Sequence, residues 1–226
     1  MSEIRRQLQI IGSDYPLNIF KLCSKIDNVE IKALPFSTPD LRGMVDIAKN
    51  QYENHVILVN SNKSFEEQNF HGFHELMHIP TVDEPGTILR CYERLKPNQD
   101  SYLEWLANEG AAEFLVPYKI LLPMIKNRYF DLIQDLGTWD FCNKCSSIFG
   151  VTTTVMQYRI GALKYEIYQY MNGVSLDEIE ILSNKKQADR GIVVQSLVEM
   201  ENQRLSTMWN NTRPNANCSC SELQMA

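Results

Sequence analysis

The sequence predicts an α+β fold, with a small, mainly antiparallel sheet on the N-terminal side and a largely helical remainder. Two observations carry this. Val29-Glu30-Ile31-Lys32-Ala33-Leu34 alternates with period two, as a half-buried strand does. From Ser64 onward the apolar residues instead recur at helical spacing behind recognisable start signals.

The elements follow in order. Asp14-Tyr15-Pro16 can open a helix, with Pro16 tolerated in the first turn and Leu17 and Phe20 on one face. Stretches 29–34, 43–48 and 55–59 read as strands, with a hairpin turn over 50–54 between the last two. Ser64-Phe65-Glu66-Glu67 has the form of a capping box, in which hydroxyl and carboxylate satisfy free backbone N–H groups. That helix runs from about residue 65 to Ile79, where Pro80 stops it. A polar connection over 81–98 leads to a helix over 100–116, ended by Pro117, and three or four more helical stretches reach about Tyr170. Ser175-Leu176-Asp177-Glu178 is a second capping-box string, expected to open a helical C-terminal region. Residues 210–226 are polar and expected to be a poorly anchored tail. The organisation expected is a core over 1–125, a helix-turn-helix-like part over 126–172, and a helical extension with its tail over 173–226.

Composition narrows the function classes. The chain has 226 residues, 44% hydrophobic and 22% charged, which suits a globular protein with a sizeable core. A net charge of -6 argues against a chain whose main task is gripping phosphate backbones. No apolar run approaches the roughly 18–20 residues that span a bilayer, and the start lacks the apolar stretch of a signal peptide. A cytoplasmic location is the expectation, with the six cysteines as reduced thiols.

The informative stretch is Phe73-His74-Glu75-Leu76-Met77-His78. Histidines at i and i+4 project from one helix face, so their imidazoles can meet one ion, and the intervening Glu can reach a water there. Zinc lowers the pKa of water to about 7, and a neighbouring carboxylate can take the proton as that water attacks a carbonyl. His74 and His78 are thus candidate Zn2+ ligands and Glu75 the candidate general base. Against a chance string stands its context, a capped amphipathic helix directly after a strand pair.

A catalytic zinc usually has three protein ligands and one open position. The next helix offers Glu104, Glu109 and Glu113. Glu104 shares a face with Asn108, and Ala107 and Ala111 would let this helix approach the histidine helix closely. Glu104 also lies in the string Ser101-Tyr102-Leu103-Glu104, where it could merely cap the helix, and Glu109 and Glu113 could be a solvated face.

The stretch from Glu104 to Pro117 resembles a signature of the ImmA/IrrE family of metallopeptidases, which pairs a His-Glu-x-x-His helix with a helix reading approximately E-x-x-A-N-x-F-A-A-E-L-L-M-P. Ala107-Asn108, Ala111-Ala112-Glu113 and Leu115-Val116-Pro117 match in order. Gly110 stands where Phe is usual, and Phe114 where Leu is. The resemblance covers about residues 15–165. It implies a zincin-like fold with Glu104 as third zinc ligand and Asn108 as its polar neighbour. It also implies an endopeptidase acting on a protein substrate, in this family a helix-turn-helix repressor.

Other features are weaker. His71, one turn before His74, could support the site or bind a substrate carboxylate; an edge-of-core role is the plainer reading. Tyr102 and Tyr118 could stabilise an oxyanion, although packing explains them as well. The helix, turn and helix over 139–163 carry few cations, which favours a structural or protein-recognition role over direct nucleic-acid binding. Cys142 and Cys145 have zinc-ligand spacing and Cys218 and Cys220 could join them, but the first pair falls inside a predicted helix. Two rival functions share the residues: hydrolysis of a small amide, or a non-catalytic metal-containing regulator that binds a partner. A structural zinc needs no base, so Glu75 argues against the second.

Overall fold

A computed structural model of the chain describes residues 10–133 and 137–212. The tail beyond residue 212, with Cys218 and Cys220, and the first nine residues lie outside them. The fold is α+β, a four-stranded sheet followed by helices.

The strands are β1 (Val29–Leu34), β2 (Leu41–Asp46), β3 (His55–Asn60) and β4 (Ile88–Tyr92), in the spatial order β1-β3-β2-β4. β2 pairs antiparallel with both β3 and β4, as the turn residues between β2 and β3 imply. β1 pairs parallel with β3, so the sheet is mixed. Gly43 and Val45 on β2 and Ile57 and Val59 on β3 alternate onto the buried face. Asn60 closes the sheet end, its side chain donating to the Leu41 carbonyl and accepting from the Asn62 N–H.

Within the polar connection expected over 81–98 lies a strand, β4, that the sequence reading did not include. Ile88-Leu89-Arg90-Cys91-Tyr92 is five residues long with Arg90 in its centre, too short for alternation to stand out. It exists because β2 offers a partner edge.

A short helix, α1 (Ile19–Cys23), precedes the sheet, capped by Asn18. The helix after the sheet, α2 (Phe65–His78), starts with the expected box. Ser64 accepts from the Glu67 N–H, and Glu67 accepts from the Ser64 N–H. α3 (Ser101–Leu115) is capped instead by Asp100, which accepts from the N–H groups of Tyr102 and Leu103. Glu104 is therefore free of a capping role. α2 and α3 pack closely along a seam of Phe73, Phe114, Ala107 and Ala111, all essentially buried. The rings of Phe73 and Phe114 lie 5.1 Å apart. Gly110 belongs to the same seam, since a Cβ there would meet Met77 Cγ at 2.8 Å.

The remaining helices are α4 (Tyr118–Asn127), α5 (Tyr129–Leu132), α6 (Gly137–Phe149), α7 (Thr153–Ala162), α8 (Lys164–Met171), α9 (Asn184–Asp189) and α10 (Leu197–Thr212). α6 and α7 form the expected helix, turn and helix, with Gly150 at φ 64 between them. Buried Asn69 on α2 ties three segments together, accepting from the Ile19 N–H and donating to the carbonyls of Leu17 and Gly150. The string from Ser175 to Glu178 is a turn, not a helix start. Ser175 donates to the Glu178 side chain there, a local bond that competes with helix formation. No helix among the described residues is long and apolar enough to cross a membrane.

Candidate metal centre

His74 and His78 stand one turn apart on α2 and are 0% and 1% exposed. Their Nε2 atoms face each other at 3.1 Å. Glu104, reaching across from the first turn of α3, puts Oε2 3.2 Å from His74 Nε2 and Oε1 3.9 Å from His78 Nε2. Ligand atoms of the three residues lie within 4.8 Å of one another.

The arrangement fits a small divalent ion. Four ligands at about 2.0–2.1 Å in a tetrahedron are separated by about 3.3–3.4 Å. The separations of His74 Nε2 from His78 Nε2 and from Glu104 Oε2, at 3.1 and 3.2 Å, are within a few tenths of an ångström of that. Two imidazoles and a carboxylate are also a donor set of the catalytic zinc type, which leaves one position open.

Hydrogen bonds hold His74 and Glu104 in place. Asn108 Oδ1 lies 3.0 Å from His74 Nδ1, so this ring carries its proton on Nδ1 and presents a bare Nε2 to the site. Gln99 Nε2 donates to Glu104 Oε1 at 2.9 Å. His78 Nδ1 is buried with no hydrogen-bond partner among the described residues. Burial, reinforced by His74 and opposed by Glu104, brings the His78 pKa down to about 4 and keeps the ring neutral. For Glu104, burial pushes the other way, but the His74 and His78 imidazoles and the hydrogen bond from Gln99 hold the carboxyl below its ordinary value.

Glu75 points toward the sheet. It is 0% exposed, and neither carboxylate oxygen has a hydrogen-bond partner among the described residues. Burial first, and then the charge of Glu104, raise its pKa well above the usual carboxylate value. Its place depends on Gly43 of β2, because a Cβ there would stand 2.7 Å from Glu75 Oε1.

The other two carboxylates on α3 are engaged by an arginine, although Glu109 also lines the cleft beside the centre. Glu113 pairs with Arg159 of α7, and Glu109 lies 3.7 Å from the same guanidinium. Arg159 is 4% exposed and also donates to the Val116 carbonyl, so it clamps α7 to the helix that carries Glu104.

A cleft of about 730 Å³ opens beside the centre. It is lined by His71, His74, Glu104 and Asn108, by Thr154, Val155 and Tyr158 of α7, and by Cys91 of β4. His71 lies at the end near Arg42, whose guanidinium is 3.4 Å from its Nε2 and pairs with Glu67 and Glu93. Burial, with the charges of His74, Arg42 and Lys63, takes the His71 pKa down to about 3. Neither Tyr102 nor Tyr118 lines the cleft; Tyr102 stacks outside on Trp105. Cys142 and Cys145 are core residues of α6, at 0% and 2% exposure.

Gln99, Gly43, Cys91 and Arg159 were not legible as site residues. Gln99 and Arg159 carry no motif, and Gly43 and Cys91 become neighbours of Glu75 only once the sheet forms.

Compared with known proteins, residues 26–161 match the family described as Peptidase_M78, the IrrE N-terminal-like domain. The match spans more than half of the chain and includes every candidate ligand. No curated protein matches the chain.

Proposed function

The chain belongs to the Peptidase_M78 family, and from that premise we propose that it is a zinc-dependent endopeptidase that hydrolyses an internal peptide bond of a protein substrate. His74, His78 and Glu104 would hold the ion. The observation that carries the reading is the convergence of these three side chains from two helices, with Glu75 buried beside them.

A bound divalent ion supplies Lewis-acid chemistry, acidifying water and polarising the scissile carbonyl. The chain's own residues do the rest. Glu75, with its proton affinity raised by burial, takes a proton from the attacking water and passes it to the departing amine. Asn108 fixes the tautomer of His74, and Gln99 orients Glu104. The cleft, partly lined by α7, receives the chain to be cut.

The family supports a protein substrate, and a helix-turn-helix repressor is the substrate class proposed. The cleft volume alone would also suit a small amide, since pockets of about 300–1,000 Å³ commonly hold small molecules. The test is to incubate zinc-loaded protein with a repressor encoded beside its gene, next to Glu75→Gln as control. One internal cut by the wild type, absent with a zinc-retaining Glu75→Gln, supports the reading. A well-folded wild type that takes up no zinc sinks it.

A further inference from the structure

The proposed reaction leaves one part of the site unused. Cys91 on β4 is 6% exposed and lines the cleft. Its sulfur, a ring nitrogen of His74 and a carboxylate oxygen of Glu75 lie within 4.8 Å of one another. The sulfur is also 3.8 Å from Nδ1 of His71. Glu75 is fully buried, and both its oxygens lack hydrogen-bond partners among the described residues. Buried carboxylate oxygens are normally paired. Here an unpaired one is held next to a thiol and an imidazole, and those three groups are the donors that zinc and softer divalent ions take.

We propose that Cys91, Glu75 and His74 form a second metal seat, which competes with the first for His74. The proposal rests on the metallopeptidase reading, because the two seats share that ligand. Asn108 occupies Nδ1 of His74, which leaves Nε2 as the free nitrogen of the ring. One ion on Nε2 therefore excludes another. An ion taken at the second seat displaces the thiol proton of Cys91 to solvent and has the general base as a ligand, so that form is silent in hydrolysis. The sulfur makes this seat the softer of the two, and thiophilic ions such as cadmium favour it.

The experiment is a cobalt(II) titration of the full chain, followed by absorption. Thiolate ligands give cobalt a near-ultraviolet charge-transfer band that nitrogen and oxygen ligands do not. In Glu104→Ala the first seat lacks its carboxylate, and that variant is expected to bind cobalt with the sulfur band. Adding Cys91→Ser, or Cys91→Ala as a second replacement, removes the band and weakens cobalt binding at least tenfold. A band that survives both replacements arises from another thiol and overturns the proposal. So does a Glu104→Ala protein that binds no cobalt, or binds it without the band. The catalytic reading is judged separately, by zinc uptake and cleavage in the wild type, so either idea can fail while the other stands.

Discussion

Asn108 Oδ1 lies 3.0 Å from Nδ1 of His74, and the two residues belong to different helices. The bond joins α2 to α3 at the level of the proposed metal ligands and decides which nitrogen of His74 is bare. Asn108→Ala frees the ring to turn and to exchange tautomers. Zinc affinity is expected to fall about 10- to 100-fold, measured by competition with a chelator of known affinity. Unchanged affinity would show that packing alone orients the imidazole.

Glu75→Gln separates stability from activity. The rate should drop at least about a hundredfold while the zinc remains. The metal-free variant should also melt higher than metal-free wild type at neutral pH. The sign follows from the raised folded-state pKa. The unfolded chain loses this proton first, so the advantage of the folded form is full below the ordinary value of 4.5 and fades as pH rises through the folded value. Glutamine has no proton to lose. The gap in melting temperature should widen as pH rises above the ordinary value of 4.5, which a calorimetric pH series would record.

Gly43→Ala tests the placement of the base without touching a charge. The new Cβ would stand 2.7 Å from Glu75 Oε1 and 3.1 Å from Cγ. Those atoms belong to a side chain that can swing, so the fold survives and the carboxylate moves. A misplacement of about 1 Å commonly lowers rates about a hundredfold. The expected outcome is a loss in kcat of about 10- to 100-fold with zinc content unchanged; a fully active variant would mean the base reaches its water from elsewhere.

His71 governs the acid side. Burial, followed by His74, Arg42 and Lys63, brings its folded pKa from 6.5 to about 3. The unfolded chain therefore binds the extra proton first. The contribution is intact above 6.5 and is lost as pH falls toward about 3. In metal-free protein, His71→Gln should flatten the fall in stability across that window, read from urea midpoints at stepped pH. An unaltered slope would place the acid lability in other groups.

Arg159→Met leaves Glu113 and Glu109 without their cation. Breaking a fully buried pair costs about 3–5 kcal/mol, but both carboxylates keep some solvent, at 22% and 40% side-chain exposure. About 2–3 kcal/mol of stability should be lost in urea denaturation. A neutral result would show that water replaces the guanidinium without penalty.

Much of the architecture was legible because local signals agreed with it. The Ser64 and Glu67 box sets the start of α2, the alternation over 29–34 matches β1, and Pro117 follows the end of α3. Where the reading failed, a tertiary partner decided. β4 is too short to announce itself, and the parallel pairing of β1 with β3 has no sequence mark. The string at Ser175 has the letters of a cap without a helix behind it. In the site, spacing brought out His74, Glu75 and His78 and the resemblance singled out Glu104, while the packing of α3 shows what engages Glu109 and Glu113 instead. That partner is an arginine 46 residues beyond Glu113 in the chain.

Both oxygens of Glu75 and Nδ1 of His78 are buried without partners among the described residues. Atoms left that way lower the stability of the unloaded chain, whereas an ion held only by the folded form raises it, by about 2.7 kcal/mol at a hundredfold excess over its Kd. Differences of that size govern how long a protein survives cellular quality control. With the site loaded as proposed, the lifetime of this chain would be tied to mineral supply: starvation for the ion would remove the protein by turnover as well as silence it.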